Sequence, residues 1–209
     1  MNNHNTIQYE LLTILRDSRT TTRQFRDTAA QLARVLAYSA ANCIPRTNIT
    51  VDTPFGKAAG VGQPESIMLV PILRSGIVLL PAFLEVFPHA RVGVAGLKRD
   101  EQTAQAQWYY HNIPSPRKNE HIIVLDPMIA TGGTGIAVVN KLKSLGAREQ
   151  SILFVAIIGS RAGIEKLQNT FPAIQITVVA QDPELNAQQF IVPGLGDFGD
   201  RYFDALNNV

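Results

Sequence analysis

The chain holds a single cysteine, Cys43, in 209 residues, which excludes an intramolecular disulfide framework and a cysteine-based zinc cluster. Charge is also scarce. Only 17% of residues are Asp, Glu, Lys or Arg, and 19 basic against 17 acidic side chains leave a net +2, too small for a charge-driven nucleic-acid module. Long apolar runs are missing: Ile77–Leu84 (broken by Pro81) and Ile152–Ile158 fall far short of the roughly 20 residues a membrane span needs. The amino terminus, MNNHNTIQYELL, shows no basic flank followed by a sustained apolar region, so no secretory signal is expected. His4, His89, His111 and His121 are scattered without metal-ligand spacing. Apolar residues, at 45%, are plentiful enough for a real core. The expectation is a cytoplasmic globular chain forming a single domain over 1–209, with no membrane and no nucleic-acid partner.

From about Thr22 to Ala41, Phe25, Ala29, Leu32, Leu36 and Ala40 recur three or four residues apart, the spacing of one helical face. Thr21 with Gln24 predicts a capping box, and Pro45 stops the pattern. Arg16, Arg19, Arg23, Arg26 and Arg34 make this the most basic region, read as a solvated helix face with an anionic effector or nucleic acid as the sharper alternative. Cys43, just after the helix, is expected to be small and buried. From residue 66 the pattern changes. Ile67–Pro71, Val92–Leu97, Ile122–Asp126, Ile152–Ile158 and Ile174–Ala180 read as buried strands, and Gly76–Phe87, Gly133–Leu145 and Ala162–Thr170 as helices. Strand–helix–strand alternation predicts an α/β fold: an open, mainly parallel five-stranded sheet flanked by helices. Residues 1–60 form an N-terminal helical arm in this reading, and 66–180 the core. Two segments break the alternation, 98–118 as a lid and 181–209 as a glycine-rich hood.

The most informative segment is Asp126-Pro127-Met128-Ile129-Ala130-Thr131-Gly132-Gly133-Thr134. It follows a strand and opens a helix, the place where ligands of open α/β sheets bind. Small side chains, hydroxyls and exposed amides at a helix N-terminus form a nest for a phosphate. No lysine follows the glycines, which excludes a Walker A loop, and the spacing is not GxGxxG. Asp126 at the strand end suits sugar hydroxyls or a hydrated magnesium ion.

Ile123–Thr134 resembles the phosphoribosyl pyrophosphate (PRPP) motif of type I phosphoribosyltransferases, and DPMIATGG the version found in uracil phosphoribosyltransferases. Leu15–Arg26 (LRDSRTTTRQFR) and Val51–Lys57 (VDTPFGK) resemble that family's amino-terminal portion. Pro71–Gly76 (PILRSG) resembles its pyrophosphate loop, Lys98–Pro114 its lid, and Ile191–Arg201 (IVPGLGDFGDR) its uracil loop. The match covers residues 15 to 203.

The resemblance implies conversion of uracil and PRPP to UMP and diphosphate, with Mg2+ entering through PRPP and water rather than a direct protein site. It implies Arg74, Arg99, Asp126 and Asp197 as catalytic residues. PRPP would be held by these and by Pro127, Met128, Ile129, Ala130, Thr131, Gly132, Gly133 and Thr134, and uracil by Ile191, Gly196, Asp197 and Phe198. A homodimer or higher homo-oligomer, and GTP as an effector, belong to the same implication. Departures are Lys98 where the family often has an aromatic residue, Phe198 where it has a small one, and Gln181 where it has an apolar one. Trp108, Tyr109 and Tyr110 fit a lid or subunit contact. An RNA-binding regulator on the same fold would need a broader basic surface, and an inactive interaction domain would not retain Arg74, Arg99, Asp126 and Asp197 together.

Overall fold

The computed structural model describes residues 6–64, 66–99 and 106–205, the Arg99 side chain excepted. In chain order the elements begin with α1 (Thr6–Arg16), α2 (Thr22–Asn42), β1 (Thr47–Thr53), β2 (Gly56–Gly62), β3 (Ile67–Leu73), α3 (Leu80–Val86), β4 (Arg91–Val92) and β5 (Val94–Arg99). They continue with β6 (Ala106–Asn112), β7 (His121–Leu125), β8 (Met128–Ile129), α4 (Gly133–Ser144), β9 (Ile152–Ser160) and α5 (Arg161–Thr170). Last come β10 (Gln175–Asp182), β11 (Glu184–Leu185), β12 (Ile191–Val192) and α6 (Phe198–Phe203).

The main sheet runs β10-β9-β7-β3-β5-β6, with the short β4 beside β3 and β8 beside β9. The five expected strands are parallel to one another, and β6 adds an antiparallel edge. Alternate residues of the central strands serve opposite faces, as the pleat requires. Leu69, Ile123, Leu125, Leu153 and Val155 pack with α1, α2 and α3. Met68, Val70, Ile122, Val124 and Phe154 face the other way, with Val138, Val139 and Leu142 of α4 and Leu167 of α5. Buried on both faces, these strands carry almost no polar residue.

Helix α2 begins as its sequence predicts. Thr21 Oγ1 accepts from the Gln24 amide (3.3 Å) and Gln24 Oε1 from the Thr21 amide (3.1 Å). It is not an outlying arm, however. Phe25, Leu32 and Leu36 are fully buried in the helical layer over the sheet. What projects is the β1–β2 hairpin, every residue of β1 being exposed. The helix expected over Gly76–Phe87 is a 3-10 turn (Ser75–Val78) followed by α3. Pro81 lies at the start of α3, where its missing N–H costs no hydrogen bond. Within the expected lid, residues 106–112 form β6, while 100–105 lie outside the described residues.

The connections reverse at one point. From β3 the chain crosses by α3 on one face to β5, whereas β7 leads by α4 and α5 on the other face to β9 and β10. Strands β3 and β7 are neighbours, Pro71 opposite Leu125. A crevice therefore opens beyond their carboxyl ends, where Arg74 and Asp126 lie.

Candidate active site

Below Asp126 the chain adds β8 to the side of β9, and the Pro127 carbonyl accepts from the amides of both Ile157 (2.9 Å) and Ile158 (3.1 Å). Ser160 ties the next residue down: its hydroxyl donates to the Ala130 carbonyl (2.5 Å) and accepts from the Gly163 amide (2.9 Å). Gly132 takes φ +75°, and a Cβ there would lie 2.6 Å from the Gly163 carbonyl oxygen. Only glycine meets both conditions. The result is a turn whose Thr131 Oγ1 accepts from the Gly133 amide (3.4 Å) and whose exit is the first turn of α4. Amides of that first turn have no intrahelical partner and, with the helix dipole, favour an anion. A cavity of about 90 Å3 opens here, lined by Met128–Gly132, Thr134, Gly135, Asp126 and Phe154.

A second cavity, about 190 Å3, shares Asp126, Met128 and Ala130 with the first. Its other walls are Ser75, Gln189, Phe190, Ile191, Asp197, Phe198 and Gly199. It is smaller than the roughly 300–1,000 Å3 of drug-sized sites, a size suited to one small ring. Gly196 stands at φ +78° beside it. Phe198 borders this space, but its ring is buried in an aromatic cluster, edge-on to Phe25 (5.2 Å) and stacked on Tyr202 (6.0 Å). Ser75, Gln189, Phe190 and Gly199 are additional lining residues. Ser75 could have been found from its place beside Arg74 in a strand-to-helix loop. Gln189, at φ +66°, carries no such signal.

Asp126 is the most perturbed group of the site. Burial raises its carboxyl to about 7, the Met128 amide (3.5 Å) opposes this, and the Asp197 carboxylate adds to the rise. Asp197 caps α6, its carboxylate accepting from the Asp200 amide (2.9 Å). Arg74 follows β3 through a cis peptide bond. Its guanidinium is largely exposed, 3.6 Å from Asp200 and over the Phe203 ring at 5.7 Å. Arg99 ends β5. Among the described residues no group of three His, Cys, Asp or Glu could cage a metal ion. Oxygen donors from Asp126 and Asp197 suit a hard cation that arrives with most of its ligands already in place.

The basic segment is largely the solvated face its sequence suggests: Arg19, Arg23, Arg26 and Arg34 are exposed, and Arg16 is half-buried. Arg16 pairs with Asp182, Arg19 with Asp17, Arg23 with Asp27 and Arg34 with Glu85, while Arg26 donates to the Tyr202 carbonyl. Cys43 is exposed rather than buried: it is the C-cap of α2, its Sγ 3.7 Å from the Ser39 carbonyl and 3.8 Å from the Thr177 hydroxyl. Trp108 packs partly buried on the core, while Tyr109 and Tyr110 are exposed on β6. No described helix is long and apolar enough to cross a membrane.

Comparison with known proteins gives the family and the fold. The sequence model of the family described as uracil phosphoribosyltransferase matches residues 1–205. Relatives named uracil phosphoribosyltransferase include that of Dictyoglomus thermophilum, 39% identical over 96% of both chains. That of Salinibacter ruber is 38% identical over 92% of this chain and 90% of its own. Among solved structures, the AQ2163 protein of Aquifex aeolicus is 33% identical and superimposes with a TM-score of 0.85 over 96% of this chain and 95% of that one. The APRTase of Giardia lamblia, 13% identical, shares the fold with a TM-score of 0.50 over 74% of this chain and 80% of that one.

Proposed function

The chain belongs to the uracil phosphoribosyltransferase family, and from that premise we propose how its own residues carry the reaction. The enzyme is a pentosyltransferase of pyrimidine salvage, joining uracil to the phosphoribosyl group of PRPP to give UMP and diphosphate. The observation that carries the residue assignment is the pair of cavities joined at Asp126, Met128 and Ala130. A ribose spanning that junction would leave its 5′-phosphate in the Asp126–Thr134 nest and C1′ facing the base cavity.

In this arrangement Asp126 accepts hydrogen bonds from the ribose hydroxyls. The Pro127–Thr134 segment wraps the 5′-phosphate, its non-proline residues offering backbone amides and Thr131 and Thr134 their hydroxyls. Arg74, with an exposed guanidinium beside the cleft, binds two pyrophosphate oxygens at once, and Arg99 closes from the β5 side. Ile191, Gly196 and Phe198 contact uracil, largely through main-chain atoms. The cytosine edge reverses the donor–acceptor pattern, would leave buried groups unpaired, and is rejected. Asp197, on the PRPP side of the base, offers negative charge where C1′ becomes positive as the bond to pyrophosphate lengthens. N1 of uracil attacks from the opposite face, with inversion at C1′. The protein acts mainly by positioning and charge stabilisation. The Asp126 and Asp197 carboxylates would hold, through water, a Mg2+ ion that enters with PRPP, and such an ion would supply positive charge to the pyrophosphate oxygens.

The same reading includes a homodimer or higher assembly, a cytoplasmic location suited to a lone exposed thiol, and GTP as an effector. The first is supported by the β1–β2 hairpin. An isolated two-stranded hairpin is marginal in water, yet this one exposes Ile49, Val51, Phe55 and Val61, side chains that a second copy would cover. Purified protein offered PRPP, Mg2+ and a panel of bases tests the assignment. UMP should form from uracil alone; no UMP under any condition refutes it.

A further inference from the structure

Resting on the uracil reading of loop Ile191–Arg201, we infer that Arg16, Asp182 and Arg201 are positioning residues for the base subsite. They touch neither cavity, but they hold the backbone that forms one wall of it. Arg16, the last residue of α1, lays its guanidinium on Asp182 with both forks, Nη2 to Oδ1 at 2.6 Å and Nη1 to Oδ2 at 2.8 Å. The same Nη1 donates to the Gly194 carbonyl (2.7 Å), and Asp182 Oδ2 accepts from the Gly194 amide (2.9 Å). Both polar groups of one loop residue are thus held by a single ion pair.

Gly194 has little freedom to begin with. It sits at φ +62°, and a Cβ there would lie 2.1 Å from the Ile191 carbonyl oxygen. A second arginine crosses in the opposite direction. Arg201 of α6 donates to the Leu195 carbonyl (2.7 Å), to the Asp17 carbonyl (2.7 Å) and to the Leu15 carbonyl, while its guanidinium covers the Phe25 ring at 4.5 Å. The α1 terminus and residues 194–195 are therefore stapled together from both sides, residues 194 and 195 lying three and four positions after Ile191 and immediately before Gly196 and Asp197.

The loop needs such help. It has only the two-residue β12 and the six-residue α6 as regular structure, so its shape is set by contacts from outside itself. A base read by main-chain donors and acceptors tolerates displacements of only about 0.5 Å. The phosphate loop, by contrast, is fixed by β9 and Ser160, which the two arginines do not touch. Loosening the staple should therefore weaken uracil binding and leave PRPP binding alone.

Deleting Arg16 would strand the buried Asp182 carboxylate, so the informative variants keep the charge. Lysine cannot reproduce a guanidinium that bonds two carboxylate oxygens and a carbonyl together. In the full-length enzyme, Arg16→Lys and Arg201→Lys should each raise the KM for uracil about 10- to 100-fold, with the KM for PRPP unchanged. Equal rises in both KM values, or an unchanged uracil KM in either folded variant, overturn the inference. Should Arg16→Lys fail to fold, Asp182→Asn takes its place, and should Arg201→Lys fail, Arg201→Gln, each with the same expected split. Hydrogen exchange of the peptide spanning residues 191–197, measured without substrate, should quicken in the variants while the peptide spanning 126–134 is unaffected. Unchanged exchange over 191–197 also overturns it. A wild-type enzyme that made no UMP would instead refute the uracil assignment, and the exchange result would still decide whether the arginines hold the loop.

Discussion

Asp126 offers the sharpest quantitative test, because its protonation should be visible in the rate. Its carboxyl is raised from 3.8 to about 7, chiefly by burial and further by the neighbouring Asp197. A group with that value is about one-tenth ionised at pH 6 and about nine-tenths at pH 8. If the ribose hydroxyls are held by the carboxylate, kcat/KM for PRPP at saturating uracil falls about tenfold between pH 8 and pH 6. A phosphate monoester on the substrate also titrates near pH 6, so Asp126→Asn, which keeps the shape and cannot ionise, supplies the reference. Its profile should retain only the substrate's share of the fall. Stability must move the other way. A carboxyl raised in the folded state favours folding fully below its ordinary value of 3.8, and this contribution is lost as pH rises through about 7. Melting temperature of the free enzyme should thus decline from pH 4 to pH 7 more steeply in the wild type than in Asp126→Asn. The slope difference is at most about 1.4 kcal/mol per pH unit, or about 3–6 °C for a chain of this size. Identical pH dependence of kcat/KM and of melting in the two proteins would refute both the perturbed carboxyl and its place on the ribose.

Arg74→Ala should lower kcat/KM for PRPP about 10- to 100-fold, the worth of a charge-assisted contact. Unchanged kinetics would remove Arg74 from the site. Gly163→Ala places a methyl 2.1 Å from the Ala130 carbonyl oxygen, which should cost about 1–3 kcal/mol in denaturant unfolding and raise the KM for PRPP; wild-type values for both would show that the loop is not pressed against α5. Phe55→Ser with Val61→Ser should reduce the assembled fraction in sedimentation, and an unaltered mass would acquit the hairpin.

The parallel core was legible because burial on both faces writes itself as continuous Val and Ile runs. The phosphate loop was legible because it combines a strand end, small residues and a helix start in one local stretch. Neither condition holds for the edge strand β6. It is exposed on much of its length and reads as polar and aromatic over Ala106–Asn112, so no strand was legible within the segment read as a lid. The β1–β2 hairpin escaped because it buries no side chain against this chain's core and its alternation is short, Ile49 and Val51 between Asn48, Thr50 and Asp52. The base cavity was half legible. Ile191, Asp197 and Phe198 lie in one motif, with Gly196 of the same motif outside the lining, whereas Ser75, Gln189 and Phe190 join them only through the folding of separate loops.

The arginines of the amino-terminal region mark the limit of local reading most clearly. Their spacing, with near-neutral total charge, is equally compatible with a wet helix face, an anion site or internal staples. The difference lies in partners distant in sequence: Asp182 and the Gly194 carbonyl for Arg16, the Tyr202 carbonyl for Arg26, Glu85 for Arg34. A carbonyl acceptor has no side-chain signature, so no composition or periodicity could have announced it. In a chain with so few charged residues, Arg16 and Arg201 are spent on main-chain carbonyls of the 191–201 loop. Under the proposed assignment Arg74 and Arg99 serve the anionic end of the substrate, so the two tasks would draw on separate cations.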